Sequence, residues 1–158
     1  MSCVASTTFS ILINDSPSIK FTSSQGLRQG CPLSALLFLI VMEGLSHLIL
    51  KEKHDGNIKG IKVSKNKFIT HLLFVVYVLL LGLGTIVEWR EIHRIINLFC
   101  SATGMEIKLN KSSFHQSVVS GDTLVEIQSF FPLQTIPLEN GIKDLGFFLK
   151  PNKYHKYD

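Results

Sequence analysis

Two internal stretches of this chain are apolar and free of charged side chains, and they limit what it can fold into. Phe68 to Val87 runs for 20 residues without Asp, Glu, Lys or Arg, and Gln29 to Met42 runs for 14. Runs of this kind belong in a protein core or in a bilayer, whose helices need roughly 20 apolar residues. Against a bilayer hairpin, the longer run contains His71, Gly82, Gly84 and Thr85, and the shorter one ends at Glu43 and Gly44. Membrane insertion is therefore the rival expectation rather than the first. The leading one is a core: 158 residues, 46% hydrophobic and 18% charged, suit one domain spanning 1–158. Disordered and collagen-like classes are excluded by the same composition. A mean hydropathy of +0.28 is high for a free-standing domain and fits the buried centre of something larger.

The net charge is +4, and its placement says more than its size. Lys51, Lys53, Lys59, Lys62, Lys65 and Lys67 share one window with only Glu52 and Asp55, whereas acids and bases balance elsewhere. That patch can meet phosphates in salt-sensitive contacts with RNA or DNA, or it can be a solvated lysine-rich hairpin. No stacking platform of aromatic residues accompanies it, so sequence-specific reading is not expected. Cys3, Cys31 and Cys100 are odd in number and far apart, which indicates neither a zinc site nor a disulfide framework. Six single histidines form no metal-binding pair, and no defined protein partner is implied. The N-terminus shows no signal-peptide pattern, so an intracellular location is expected.

Periodicity predicts an α+β chain. Thr8 to Asn14 reads as a strand, with a turn at Asp15-Ser16-Pro17. Pro32 opens an apolar helix over Leu33 to Leu50, whose polar residues Glu43, Ser46 and His47 occupy so narrow an arc that most of its circumference should be buried. Strands at Ile61–Val63 and Lys67–Leu73 flank a Lys65-Asn66 turn. Thr85-Ile86-Val87-Glu88 fits a capping box, Thr85 as N-cap and Glu88 reaching back. Trp89, Ile92, Ile95, Ile96 and Phe99 continue at helical spacing as core, and Gly104 suits the helix end. A strand over Met105 to Leu109, a helix over Asp122 to Phe131 and a strand over Ile142 to Leu149 complete the expectation.

QGLRQGCPLS (Gln25 to Ser34) followed by LLFLIVMEGLSHLI resembles motif B of the reverse transcriptases of LINE-type non-LTR retrotransposons, plant members above all. The order continues with ITHLLF (Ile69 to Phe74), similar to the strand into motif C. GMEIKLNKSSF (Gly104 to Phe114) resembles motif D, and IKDLGFFL (Ile142 to Leu149) resembles the later strand, with Asp144 where the family has Tyr. The resemblance implies part of a polymerase palm, an antiparallel sheet with packed helices, in an RNA-directed DNA polymerase. It makes Gln25, Gly26, Arg28, Gln29 and Gly30 candidates for contact with template and incoming nucleotide, and matches Lys111 to the motif D lysine near the triphosphate. On the residues alone, Gln25 to Gly30 is also a polar loop before a helix, and Lys111 an ordinary turn lysine.

One departure decides what the family's chemistry can do here. Its polymerases use carboxylates from motifs A and C to hold two Mg²⁺ ions roughly 3.5–4 Å apart for in-line phosphoryl transfer. Motif C ends in two Asp on a hairpin, whereas this chain reads Phe74-Val75-Val76-Tyr77. Val76 has no oxygen to offer, and the Tyr77 phenol is neutral near pH 7. Motif A, expected before the first strand, is absent, and Asp55 and Glu88 occupy unrelated motif positions. The expectation is a fragment without metal, cofactor or polymerase activity, with a hairpin turn of bulky residues and a sheet edge prone to aggregation.

Overall fold

The structure, a computed structural model, describes residues 8–22, 26–27, 30–117, 119–144 and 147–149. The fold is α+β, with three α-helices among the described residues and short strands that pair two at a time. The single antiparallel sheet of the expectation is replaced by six two-stranded pairings among the described residues, five antiparallel and one parallel. Cα packing divides the chain into two units, Met1–Val41 and Met42–Asp158.

In the first unit, β1 (Thr8–Phe9) pairs with β4 (Phe21–Thr22), and Phe9 stacks on Phe21 with centroids 5.9 Å apart. Between them β2 (Leu12–Ile13) and β3 (Ser16–Pro17) form a tight hairpin. The turn lies one residue earlier than expected, at Asn14-Asp15. Both have positive φ, 49° and 60°, the left-handed region that short Asx side chains tolerate best after Gly. Ile13 therefore pairs with Ser16, and Pro17 sits in a strand rather than at the bend.

Helix α1 (Pro32–His54) starts at the expected Pro and runs a turn beyond the expected end, where Lys51, Lys53 and His54 suit the helix dipole. By length and composition it could cross a membrane. Burial is much narrower than expected. Met42, Leu45, Ile49 and Glu52 are buried, a stripe at helical spacing, whereas Leu33, Leu36, Leu39, Ile40 and Leu50 are exposed. A narrow polar arc leaves a wide apolar face, and only part of that face on α1 is covered.

In the second unit, β5 (Ile61–Ser64) and β6 (Lys67–Ile69) flank the expected Lys65-Asn66 turn, with a register irregularity between Lys62 and Ser64. After Thr70 the chain continues as β7 (His71–Phe74), turns at Val75-Val76, and returns as β8 (Tyr77–Leu80). The uncharged run Phe68 to Val87 is thus strands, a loop and the start of the next helix rather than one membrane-spanning helix, since β-branched and aromatic residues make up just over half of it. Helix α2 (Ile86–Thr103) buries Trp89, Ile92, Ile95, Ile96 and Phe99, the expected core stripe. It ends at Gly104 in the left-handed conformation (φ 71°), whose N–H bonds the Cys100 carbonyl.

Met105 to Leu109 is no strand: a 3-10 turn occupies Leu109–Lys111, and the strand comes later, as β9 (Ser113–Gln116). β9 pairs in parallel with β10 (Gln134–Pro137) through the crossover helix α3 (Gly121–Phe130), which buries Ile127. Trp89 meets Phe114 edge-on at 4.8 Å and Phe131 at 6.4 Å, and Arg90 pairs with Glu126, so α2, α3 and β9 share one core. The expected last strand is a hairpin instead, β11 (Ile142–Asp144) against β12 (Phe147–Leu149).

Candidate functional site

The two hairpins after α1 carry the residues that the sequence singles out. β5–β6 carries Lys62, Lys65 and Lys67, Lys59 precedes it, and Lys51 and Lys53 sit in the last turn of α1. Lys51, Lys59, Lys62, Lys65 and Lys67 are exposed, and none has an ion-pair partner among the described residues. Lys53 is committed elsewhere, its Nζ donating to the Phe68 carbonyl at 2.7 Å. The acid counted against this patch in the sequence does not face it. Glu52 is buried, accepting from Asn57 Nδ2 at 2.6 Å and from the Arg94 guanidinium at 2.9 Å. Asp55 lies beside His54, 3.3 Å away. The exposed patch is therefore five lysines with Asp55 at its edge, as positive as the linear count implies.

Glu88 anchors the base of the same hairpin. Its carboxylate accepts the Lys59 and Gly60 N–H groups on Oε1, both at 2.8 Å, and the Leu83 N–H on Oε2 at 2.7 Å, while only 3% exposed. This corrects the capping box. Thr85 is the N-cap, but its side chain makes no cap bond, and Glu88 turns away from its own helix to three donors on two other segments. Three charge-assisted bonds from otherwise unpaired amides outweigh the one that a capping box supplies. A cavity of about 290 Å³ opens beside this anchor, lined by Asn57, Lys59, Leu83 and Thr85 among others.

Gly60 makes the arrangement possible. Its φ is +75°, and a Cβ there would lie 2.3 Å from the Ile69 carbonyl oxygen. Glycine is required both for the conformation and for the contact. Sequence reading missed Gly60, Glu52 and Glu88 as organising residues. The available signal was a charged residue placed among core positions of a helix, Glu88 next to Trp89.

β7–β8 carries the positions that the resemblance gives to metal. Phe74 pairs with Tyr77 across a two-residue turn, and Phe74, Val75, Val76 and Tyr77 are all more than half exposed. The strained residue is not Val76 or Tyr77, as expected, but Val75, at φ 51°. Tyr77 is already the first residue of β8. No carboxylate belongs to this tip, so its side chains do not fit a pair of magnesium ions. Among the described residues, no group of three or more His, Cys, Asp or Glu side chains could hold a metal.

At the other end of β7, His71 is fixed by two hydroxyls. Ser46 Oγ lies 2.9 Å from its Nε2 and Thr70 Oγ1 3.0 Å from its Nδ1. Partial burial holds its pKa below the ordinary 6.5, the Lys53 charge adds to this, and Glu43 opposes it. His93 and His115 are lowered as well, by burial.

Of the expected nucleotide contacts, Gly26 and Gly30 have φ of 86° and 78°, conformations that favour glycine. Gln25, Arg28 and Gln29 lie outside the described residues. Lys111 is exposed on the 3-10 turn, its backbone N–H bonded to the Lys108 carbonyl.

No protein-family model matches the sequence. An uncharacterized mitochondrial protein of Arabidopsis thaliana is 47% identical over 64 residues, 40% of this chain and 52% of that protein. The chain thus spans about half the length of the curated relative it matches.

Proposed function

We propose that this chain is a remnant of a LINE-type reverse-transcriptase palm that has lost polymerase chemistry and keeps a weak, sequence-independent grip on RNA or DNA. The observation that carries the reading is the β7–β8 hairpin. If the resemblance holds, this hairpin stands where the family's motif C carries its acidic pair, and Val76 in the turn and Tyr77 at the start of β8 take those positions. Metal-bound charge stabilisation is worth several kcal/mol to such a transfer, and about 1.4 kcal/mol is tenfold in rate. Losing the ligands removes the mechanism rather than slowing it. In a primer-extension assay on an RNA template with Mg²⁺ or Mn²⁺, the purified chain makes no product. Template-dependent synthesis overturns the reading.

The retained grip rests on the five exposed lysines, since the buried carboxylates of Glu52 and Glu88 are already bonded inward. Affinity for single-stranded RNA, followed by fluorescence anisotropy, falls steeply as salt rises. Binding that is flat with salt, or unaffected by a combined Lys62→Gln, Lys65→Gln and Lys67→Gln change, removes this part of the proposal. A plant mitochondrial relative is in keeping with a plant-like retroelement origin.

A further inference from the structure

The apolar hairpin poses a problem that the polymerase reading leaves untouched. Leu72, Phe74, Val75, Val76 and Tyr77 are 51–66% exposed and contiguous on the hairpin: Phe74 faces Tyr77, Leu72 shares their face, and the two valines form the tip. With an aromatic side chain carrying roughly 150–250 Å², the patch measures about 500 Å², near the upper limit for the largest patch on a monomer. A patch of this size is often a binding face.

We infer that a second copy of the same chain covers it, with the two β7–β8 faces packed across a two-fold axis. Three observations favour this occupant. Two such patches buried together remove about 1,000 Å² of surface, the lower bound for a specific protein interface. The patch lies inside a run without Asp, Glu, Lys or Arg, so two chains of net charge +4 meet there with no like charges opposed. An acidic partner is drawn instead to the lysine turn at Lys65-Asn66, which lies beyond the eight residues Lys67 to Phe74 that separate the two tips. A two-fold contact is self-complementary: Phe74 and Tyr77 of one copy stack against the same residues of the other, the aromatic centre such interfaces favour. The inference needs only the exposed patch and holds whether or not the chain derives from a polymerase.

The test is sedimentation velocity on the purified full chain over a concentration series. The expected result is a reversible shift from 17.7 kDa to twice that mass. Val76→Asp with Tyr77→Asp puts charges on both faces and weakens association roughly tenfold or more. Val76→Asp alone gives a smaller shift in the same direction, and circular dichroism of both variants matches the parent. Lys65→Glu with Lys67→Glu, on the other hairpin, leaves dimerisation unchanged. A parent that stays monomeric throughout overturns the inference. So does a dimer that the hairpin variants retain, one lost on changing the lysines, or co-flotation of the parent with phosphatidylcholine vesicles in place of dimerisation.

Discussion

The β5–β6 and β7–β8 hairpins are neighbours in sequence, alike in length and opposite in character. The first turns on Lys65-Asn66, carries exposed lysines and is held at its base by Gly60 and the Glu88 carboxylate. The second turns on Val75-Val76, carries no charge, strains Val75 at φ 51° and is pinned at its base by the His71–Ser46 contact. The difference separates what builds a hairpin from what it presents. The bases are polar and buried or half-buried; the tips are free to be cationic or greasy. A tip can therefore change its character and leave the hairpin standing.

That contrast can be broken most severely at the base of the first hairpin. Gly60→Ala places a Cβ 2.3 Å from the Ile69 carbonyl oxygen at a positive φ, and is expected to cost more than about 3 kcal/mol or to prevent folding, read from urea melts. Glu88→Gln comes next. It keeps one accepting oxygen but loses the charge and turns an NH₂ towards a backbone donor, a loss of about 2–4 kcal/mol by the same measurement. If either change is silent, the bases do not hold the hairpins.

The tip of the second hairpin is expected to respond in the opposite direction. Val75→Asn or Val75→Gly relieves the left-handed strain and stabilises the chain by about 1 kcal/mol, seen as a higher melting temperature. The base of that hairpin has a pH signature. Because folding holds His71 below 6.5, the folded state favours the neutral ring. Stability is therefore complete above pH 6.5 and declines as pH falls below that value and through the lowered folded pKa, with His93 and His115 acting in the same sense. In melts between pH 7.5 and 5.5, His71→Gln shows a shallower decline than the parent. The smallest effect belongs to the lysine tip: Lys65→Gln changes stability by less than about 0.5 kcal/mol while lowering the salt slope of RNA binding.

Much of the α+β arrangement was legible wherever a residue's local physics agreed with its surroundings. Pro32 opens a helix, Gly104 closes one, Lys65-Asn66 turns a hairpin, and the Trp89 to Phe99 stripe is core. What escaped was settled by distant partners. The Met105 to Leu109 alternation looks like a strand, yet β10, some 20 residues further on, pairs with Ser113–Gln116. The outer face of α1 looks like core because periodicity reports which residues are apolar, not whether anything lies against them. Of the candidate site, the lysine hairpin and the absence of a carboxylate at Val76 and Tyr77 could be read directly. The inward turn of Glu52 and Glu88 could not, since their donors at Asn57, Arg94, Lys59 and Gly60 are brought close only by folding.

Glu88 has one more consequence, in time rather than space. Its donors lie 29, 28 and 5 residues upstream, so α2 can form its turns locally but cannot bury its first turn until the segment from Lys59 to Leu83 has arrived. A carboxylate buried before then would stand without partners, at a cost no local helix energy offsets. Formation of the helix end and docking of both hairpins are thereby tied into one event. Whatever the tips present, the chain between them has to fold together or not at all.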